Sequence, residues 1–170
     1  MRTLYLLRHA KSSWDAPDLA DSDRPLAPRG RRATALIADH MRAEGIAPEL
    51  VICSPAVRAR QTLDGLGDAV ASARVEIAPD IYEAHESDLL ERARKAPEDV
   101  ASVLMIGHNP SIQRLVLLLA DENERLDQLR GKFPTAALAT LSIESARWQD
   151  LHPGDAKLTA FVKPRDLEAN

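Results

Sequence analysis

The sequence predicts an α/β domain of three layers, with a mainly parallel sheet of about six strands at its centre. Three observations carry this. Short apolar runs rich in β-formers alternate with longer stretches of helical periodicity. Two of those stretches open on a capping residue followed by proline. A chain of 170 residues that is 45% hydrophobic suffices for one core without disulfide or metal staples. No repeat, low-complexity tract or linker divides it, so residues 1–170 read as a single domain.

Thr3–Leu7 is a short apolar run with β-formers and reads as the first strand. Asp15–Pro28 is rich in Asp and Pro and reads as a loop. Arg29–Glu44 carries Ala33, Leu36, Ile37 and Met41 at helical spacing, with Gly45 placed to stop the helix. Leu50–Cys53 is the second strand, and Pro55–Val70 the second helix, with Ser54 as N-cap and Pro55 in the first turn. Val75–Ile77 is a weaker third strand. Ser87–Lys95 follows as a helix, with Ser87 as cap, Leu89 and Leu90 as its apolar face and Pro97 beyond its end. Ser102–Ile106 is the fourth strand, and Asn109-Pro110 opens a helix to about Ala120. The polar stretch Asp121–Pro134 reads as a loop, a short helix or a flap. Ala137–Ile143 and Leu158–Val162 complete the strands.

Composition removes several function classes. Lys+Arg is 22 against 26 Asp+Glu, a net charge of −4, which argues against a nucleic-acid binder driven by bulk charge. Aromatics are 4%, too few for a base-stacking platform. The one cysteine, Cys53, excludes an intrachain disulfide and any four-cysteine metal centre. The longest apolar run is about six residues, far short of the ~20 a membrane span needs. Arg8 interrupts the N-terminal apolar run before a secretory h-region is reached, so the expected compartment is the cytoplasm, where a lone thiol is ordinary.

In parallel sheets ligands bind beyond the carboxyl ends of the strands, so those segments hold the chemistry. The first strand runs into Arg8-His9-Ala10-Lys11-Ser12, and the second into Ser54-Pro55-Ala56-Val57-Arg58-Ala59-Arg60-Gln61-Thr62. Tyr82-Glu83-Ala84 follows the third, and Gly107-His108-Asn109-Pro110 the fourth. Two histidines, two or more arginines and a carboxylate therefore converge on one sheet edge. Arginine forks grip phosphate oxygens through paired, charge-assisted hydrogen bonds. A neutral imidazole nitrogen is a nucleophile at phosphorus near pH 7. A carboxyl group can protonate a leaving atom and then activate water. The set reads as a phosphoryl-transfer site with a phosphohistidine intermediate, needing no metal or other cofactor because arginines and histidines supply the positive charge.

These segments, with Arg24-Pro25-Leu26-Ala27-Pro28-Arg29-Gly30 and Phe133-Pro134-Thr135-Ala136-Ala137-Leu138, resemble the histidine phosphatase superfamily of phosphoglycerate-mutase-like fold. Within it they resemble the small SixA-type phosphohistidine phosphatases. The resemblance implies that His9 is the nucleophile, that Arg8 and Arg58 bind phosphoryl oxygens, and that His108 completes the pocket. It favours Arg58 over Arg60 as the pocket arginine. Ala10 stands where many relatives have glycine, as is common in the SixA-type branch. Glu83 stands where mutase-branch relatives carry an acid, and SixA-type proteins are less uniform there. The short chain leaves little for walls around the pocket, which favours an open site and a phosphorylated protein as substrate. A small phosphoester substrate and a non-catalytic phosphate-binding regulatory module are the alternatives. A minimal domain of this kind is expected to be a monomer.

Other residues carry weaker signals. Arg24, Arg29, Arg31 and Arg32 read as a solvated helix start or as a basic rim for an acidic partner. Cys53 ends a strand before a helix, but a Cys-x5-Arg phosphatase loop would need arginine at Ala59. It reads instead as a buried small hydrophobe. His85 reads as a loop or rim residue, and His40 and His152 as surface residues.

Overall fold

A computed structural model describes residues 1–168. It contains one six-stranded sheet in the order β3-β2-β4-β1-β5-β6. The strands are β1 (Arg2–Arg8), β2 (Leu50–Cys53), β3 (Arg74–Ile77), β4 (Ser102–Gly107), β5 (Leu138–Ile143) and β6 (Ala156–Val162). The helices are α1 (Pro28–Ala43), α2 (Val57–Leu66), α3 (Glu86–Arg94), α4 (Ser111–Leu119), α5 (Arg125–Gly131) and α6 (Pro164–Leu167). Strands β1, β4, β2 and β3 run parallel, whereas β5 and β6 run antiparallel to their neighbours. The sheet is thus mixed and mostly parallel, in the three-layer arrangement expected from the sequence.

The pleat sorts the central strands onto two cores. Leu4 and Leu6 of β1, Leu50 and Ile52 of β2, and Val103 and Met105 of β4 pack with Leu89, Leu115, Val116 and Trp148 on one face. The alternate residues Leu7, Val51, Cys53, Leu104 and Ile106 pack with Ile37, Met41, Ala59 and Leu66 on the other. Burial on both faces explains why these strands read as continuous apolar runs. The edge strand β3 is exposed along its length and carries Arg74 and Glu76, a composition that discourages further strand pairing.

Several local expectations need correction. The Pro55–Val70 segment is not one helix: α2 begins at Val57, and at Gly67, with φ of 55°, it gives way to a 3-10 turn over Gly67–Val70. Ser54 is not the N-cap, a position Ala56 holds; its hydroxyl accepts from the Ala56 N–H at 3.3 Å, just before the helix, and also bonds His108. Ser87 is likewise not a cap: α3 starts one residue earlier, and Asp88 accepts a hydrogen bond from the His85 backbone N–H. The start of α4 matches more closely, with Asn109 Oδ1 accepting from the Gln113 N–H at 3.3 Å.

Gly30 has a steric reason. A Cβ there would come within 2.2 Å of the Lys11 carbonyl oxygen. Close approach at this point lets Lys11 O accept the Ala27 N–H, which ties the start of α1 to the segment after β1.

Candidate active site

Strands β1, β2 and β4 end side by side, because parallel pairing puts Arg8 opposite Gly107 and Cys53 opposite Ile106. The chain leaves each strand with a further cross-tie: His9 N–H donates to Gly107 O, and Ser54 N–H to Ile106 O. Arg8, His9, Ser54 and His108 are thereby placed on one edge by backbone geometry. Arg58, on the first turn of α2, reaches the same point from beside them.

His9 is 8% exposed. Its Nδ1 lies 2.8 Å from the Ala10 carbonyl, which can only accept, so Nδ1 carries the proton. Nε2 therefore presents a lone pair, and Arg58 Nε donates to it at 3.3 Å. Burial, with the nearby His108, Arg58 and Arg8, pushes the pKa of His9 down to about 3, so the ring is neutral at physiological pH. The Ala10 peptide is itself anchored: its N–H donates to Thr62 Oγ1 at 2.9 Å, and that hydroxyl donates to Arg58 O.

His108 faces His9, with ring centroids 5.0 Å apart. Arginine only donates, so the 3.5 Å contact from Arg58 Nη2 identifies His108 Nδ1 as an acceptor. Nε2 then donates to Ser54 Oγ at 2.7 Å. Burial, then Arg58, lowers the pKa of His108 to about 4. The Tyr82 ring stands edge-on to His108 at 5.5 Å. Arg8 donates through Nη1 to Phe133 O at 2.8 Å, and partial burial lowers its pKa.

The structure brings Arg8, His9, Arg58 and His108 together, and Glu83 follows directly on Tyr82, whose ring stands against His108. Glu83 is exposed at a φ of 54° and makes no side-chain hydrogen bond among the described residues. The carboxylate that bonds to a site residue is Asp21, on a 3-10 turn over Asp21–Asp23 behind Arg58. It accepts from Arg58 Nη2 at 3.0 Å, from the Tyr82 hydroxyl at 2.7 Å and from Arg24 Nη1 at 3.3 Å. Tyr82 and Arg58 hold its pKa at about 2, so it is a fixed anion and a poor acid. Sequence reasoning passed over Asp21 because one acid in an Asp-rich loop carries no periodic signal. It took Ser54 for a helix cap for a similar reason.

Arg24 turns inward from the other arginines of its cluster and lines the His9 pocket. It is 7% exposed, lies over the Trp14 ring at 3.2 Å from its centroid, and bonds Ser12 and Ser13. Arg60 is exposed, and Cys53 is fully buried, with its thiol pushed up to about 12. The pocket at His9 is shallow, about 250 Å³, with the exposed Trp14 in its lining. Among the described residues no group of three or more His, Cys, Asp or Glu is placed to hold a metal ion, and no helix is long and apolar enough to cross a membrane.

Fold and strand-edge site together are those of the phosphoglycerate-mutase-like class. The chain belongs to the histidine phosphatase superfamily: the family described as Histidine phosphatase superfamily (branch 1) matches residues 4–102. Phosphohistidine phosphatase SixA of Escherichia coli (strain K12) is 30% identical over 167 residues, covering 94% of this chain and 99% of that protein. A structure from Nakamurella multipartitia, provisionally assigned as a SixA phosphohistidine phosphatase, superposes with a TM-score of 0.85 at 33% identity, covering 96% of each chain. The protein histidine phosphatase SixA complexed with tungstate gives a TM-score of 0.76 at 26% identity, covering 97% of this chain and 99% of that one. Within the superfamily the resemblance is thus to the SixA type.

Proposed function

We propose that this protein is a metal-independent phosphatase that passes the phosphoryl group through His9 and acts on phosphohistidine carried by a protein. The observation that carries the reading is the tautomer of His9. With Nδ1–H committed to Ala10 O, Nε2 keeps its lone pair beside the Arg58 guanidinium. A neutral, oriented imidazole next to a cation suits attack on an anionic phosphoryl group.

In the first step His9 Nε2 forms a bond to phosphorus as the bond to the substrate imidazole breaks. The departing nitrogen takes up a proton. Arg8 and Arg58 stabilise the charge on the equatorial oxygens, joined by His108 once its Nδ1 takes up a proton beside the phosphoryl dianion. Water then attacks phosphorus, the bond to His9 breaks, and inorganic phosphate leaves. Glu83 supplies the first proton and receives one from water. An imidazole is a good leaving group once protonated, so a phosphohistidine substrate asks little of Glu83. The protein works as a cytoplasmic monomer of one domain, with a shallow pocket suited to a side chain presented on a protein surface. That the Escherichia coli relative is a phosphohistidine phosphatase supports the substrate class, and the tungstate, a phosphate-like oxyanion, bound in the other SixA structure supports phosphoryl binding.

The test is phosphate release in excess EDTA, from a phosphohistidine protein and from a panel of small phosphoesters. Release that survives EDTA, is lost in His9→Ala and is fastest on the phosphohistidine protein is the expected result. Wild-type rates in a folded His9→Ala variant would overturn the mechanism, and a faster phosphoester would overturn the substrate. Glu83→Gln is expected to slow phosphoesters more than phosphohistidine.

A further inference from the structure

A cleft beside the His9 pocket is larger than the pocket itself. It encloses about 750 Å³, roughly three times the volume of that pocket. The two are continuous, sharing Arg8, Lys11 and Thr135. Arg29 and Arg32 of α1 line its far wall, with Lys132 from the segment before β5 and Lys163 and Arg165 at the start of α6. Four separate parts of the chain therefore deliver seven cationic side chains to one cleft. Glu168 is the one carboxylate in its lining among the described residues.

Pairing sharpens the contrast. Nine arginines elsewhere form ion pairs with Asp or Glu, yet none of these seven cations does so among the described residues. The chain as a whole carries −4, so carboxylates were not in short supply. Gathering like charges without counter-ions opposes folding, and it creates a positive field at the mouth of the catalytic pocket.

We infer that this cleft is the docking site for an acidic segment of the phosphorylated protein, held while its phosphohistidine reaches His9. The inference rests on the protein-substrate reading proposed above. Charge complementarity and continuity with the pocket carry it. The cations favour an extended acidic chain over a compact multiphosphate. They are spread over four chain segments on mostly exposed side chains, rather than converging on one point. Among the described residues no aromatic ring lines the cleft to stack a nucleobase.

The experiment compares two phosphohistidine peptides, one flanked by Asp and Glu and one by Ser and Gly. The enzymes are wild type and the surface variants Arg29→Gln/Arg32→Gln and Lys163→Gln/Arg165→Gln. Wild type should prefer the acidic peptide, and each double variant should lose at least tenfold in kcat/KM on it, mostly through KM. Turnover of the neutral peptide should stay within twofold, and added salt should erase the preference. An unchanged acidic-to-neutral ratio in both variants overturns the inference. A second measurement does not need phosphohistidine turnover: the unphosphorylated acidic peptide should inhibit hydrolysis of p-nitrophenyl phosphate by wild type but not by the variants. If it does so while neither phosphohistidine peptide is hydrolysed, the docking site stands and the substrate reading falls. If it fails to inhibit, or if inorganic polyphosphate inhibits far better, the acidic-segment assignment is overturned.

Discussion

Asp21 holds Arg58 from outside the pocket: its carboxylate accepts from Arg58 Nη2 at 3.0 Å and its backbone carbonyl from Nη1 at 2.7 Å. With Arg58 Nε on His9, every nitrogen of that guanidinium has a partner. A phosphoryl group arriving at His9 must compete with Asp21 for the same fork, so Asp21 both orients Arg58 and sets how easily it is shared.

Asp21→Asn separates those two effects. Loss of a charge-assisted hydrogen bond is worth ~1.5–3 kcal/mol, so a fall of about tenfold in kcat is expected as Arg58 loosens. Removing a negative charge beside the pocket should at the same time tighten inhibition by inorganic phosphate. Steady-state kinetics with phosphate as inhibitor reads both, and weaker phosphate binding in the variant would refute the competition.

Ser54 orients His108. In Ser54→Ala the His108 Nε2–H loses its acceptor in a buried setting, a cost of ~1–3 kcal/mol. The expected result is a lower kcat, about tenfold, with substrate binding little changed, and recovery in Ser54→Thr. If Ser54 only supported the start of α2, thermal stability would fall but kcat of the folded protein would not.

Thr62 acts on His9 through the Ala10 peptide. Thr62→Val keeps the shape but leaves the buried Ala10 N–H unpaired, which should lower stability by ~1–3 kcal/mol. It should also slow formation of phospho-His9 in a single-turnover experiment, with Thr62→Ser restoring both. Normal single-turnover rates would show that the Ala10 carbonyl holds its place unaided.

Acid should unfold this protein through its active site. Folding lowers the pKa of His9 to about 3 and of His108 to about 4. Below about pH 6.5 the unfolded chain binds protons that the folded chain refuses. The contribution is therefore complete above pH 6.5 and drains as pH falls toward 4 and then 3. Asp21, held at about 2, adds a loss at the acid end of that range. Urea midpoints measured from pH 7.5 to 4 should fall steeply in wild type and less steeply in His108→Asn. Equal slopes would mean that His108 does not carry the acid sensitivity.

How much of this was legible in the chain follows from which forces are local. The strands were readable because burial on both faces leaves continuous apolar runs such as Leu50–Cys53 and Val103–Ile106. Arg8, His9 and His108 were readable because each directly follows or ends a parallel strand, and strand ends share an edge whatever the details of packing. Arg58 was singled out from Arg60 by family spacing, and burial in the structure agrees.

The sequence by itself determined the sheet, its mostly parallel order of elements and the residue types gathered at its edge, because periodicity and turn chemistry act over a few residues. Only the tertiary structure decided what those residues do to one another. It put Asp21 against Arg58, turned Ser54 from a helix cap into the partner of His108, drew Arg24 under Trp14 and emptied the arginine cluster of one member. It also assembled the basic cleft from segments as far apart as Lys11 and Arg165. Hydrogen bonds between distant side chains depend on where loops close over the sheet, and no local pattern in the chain encodes that.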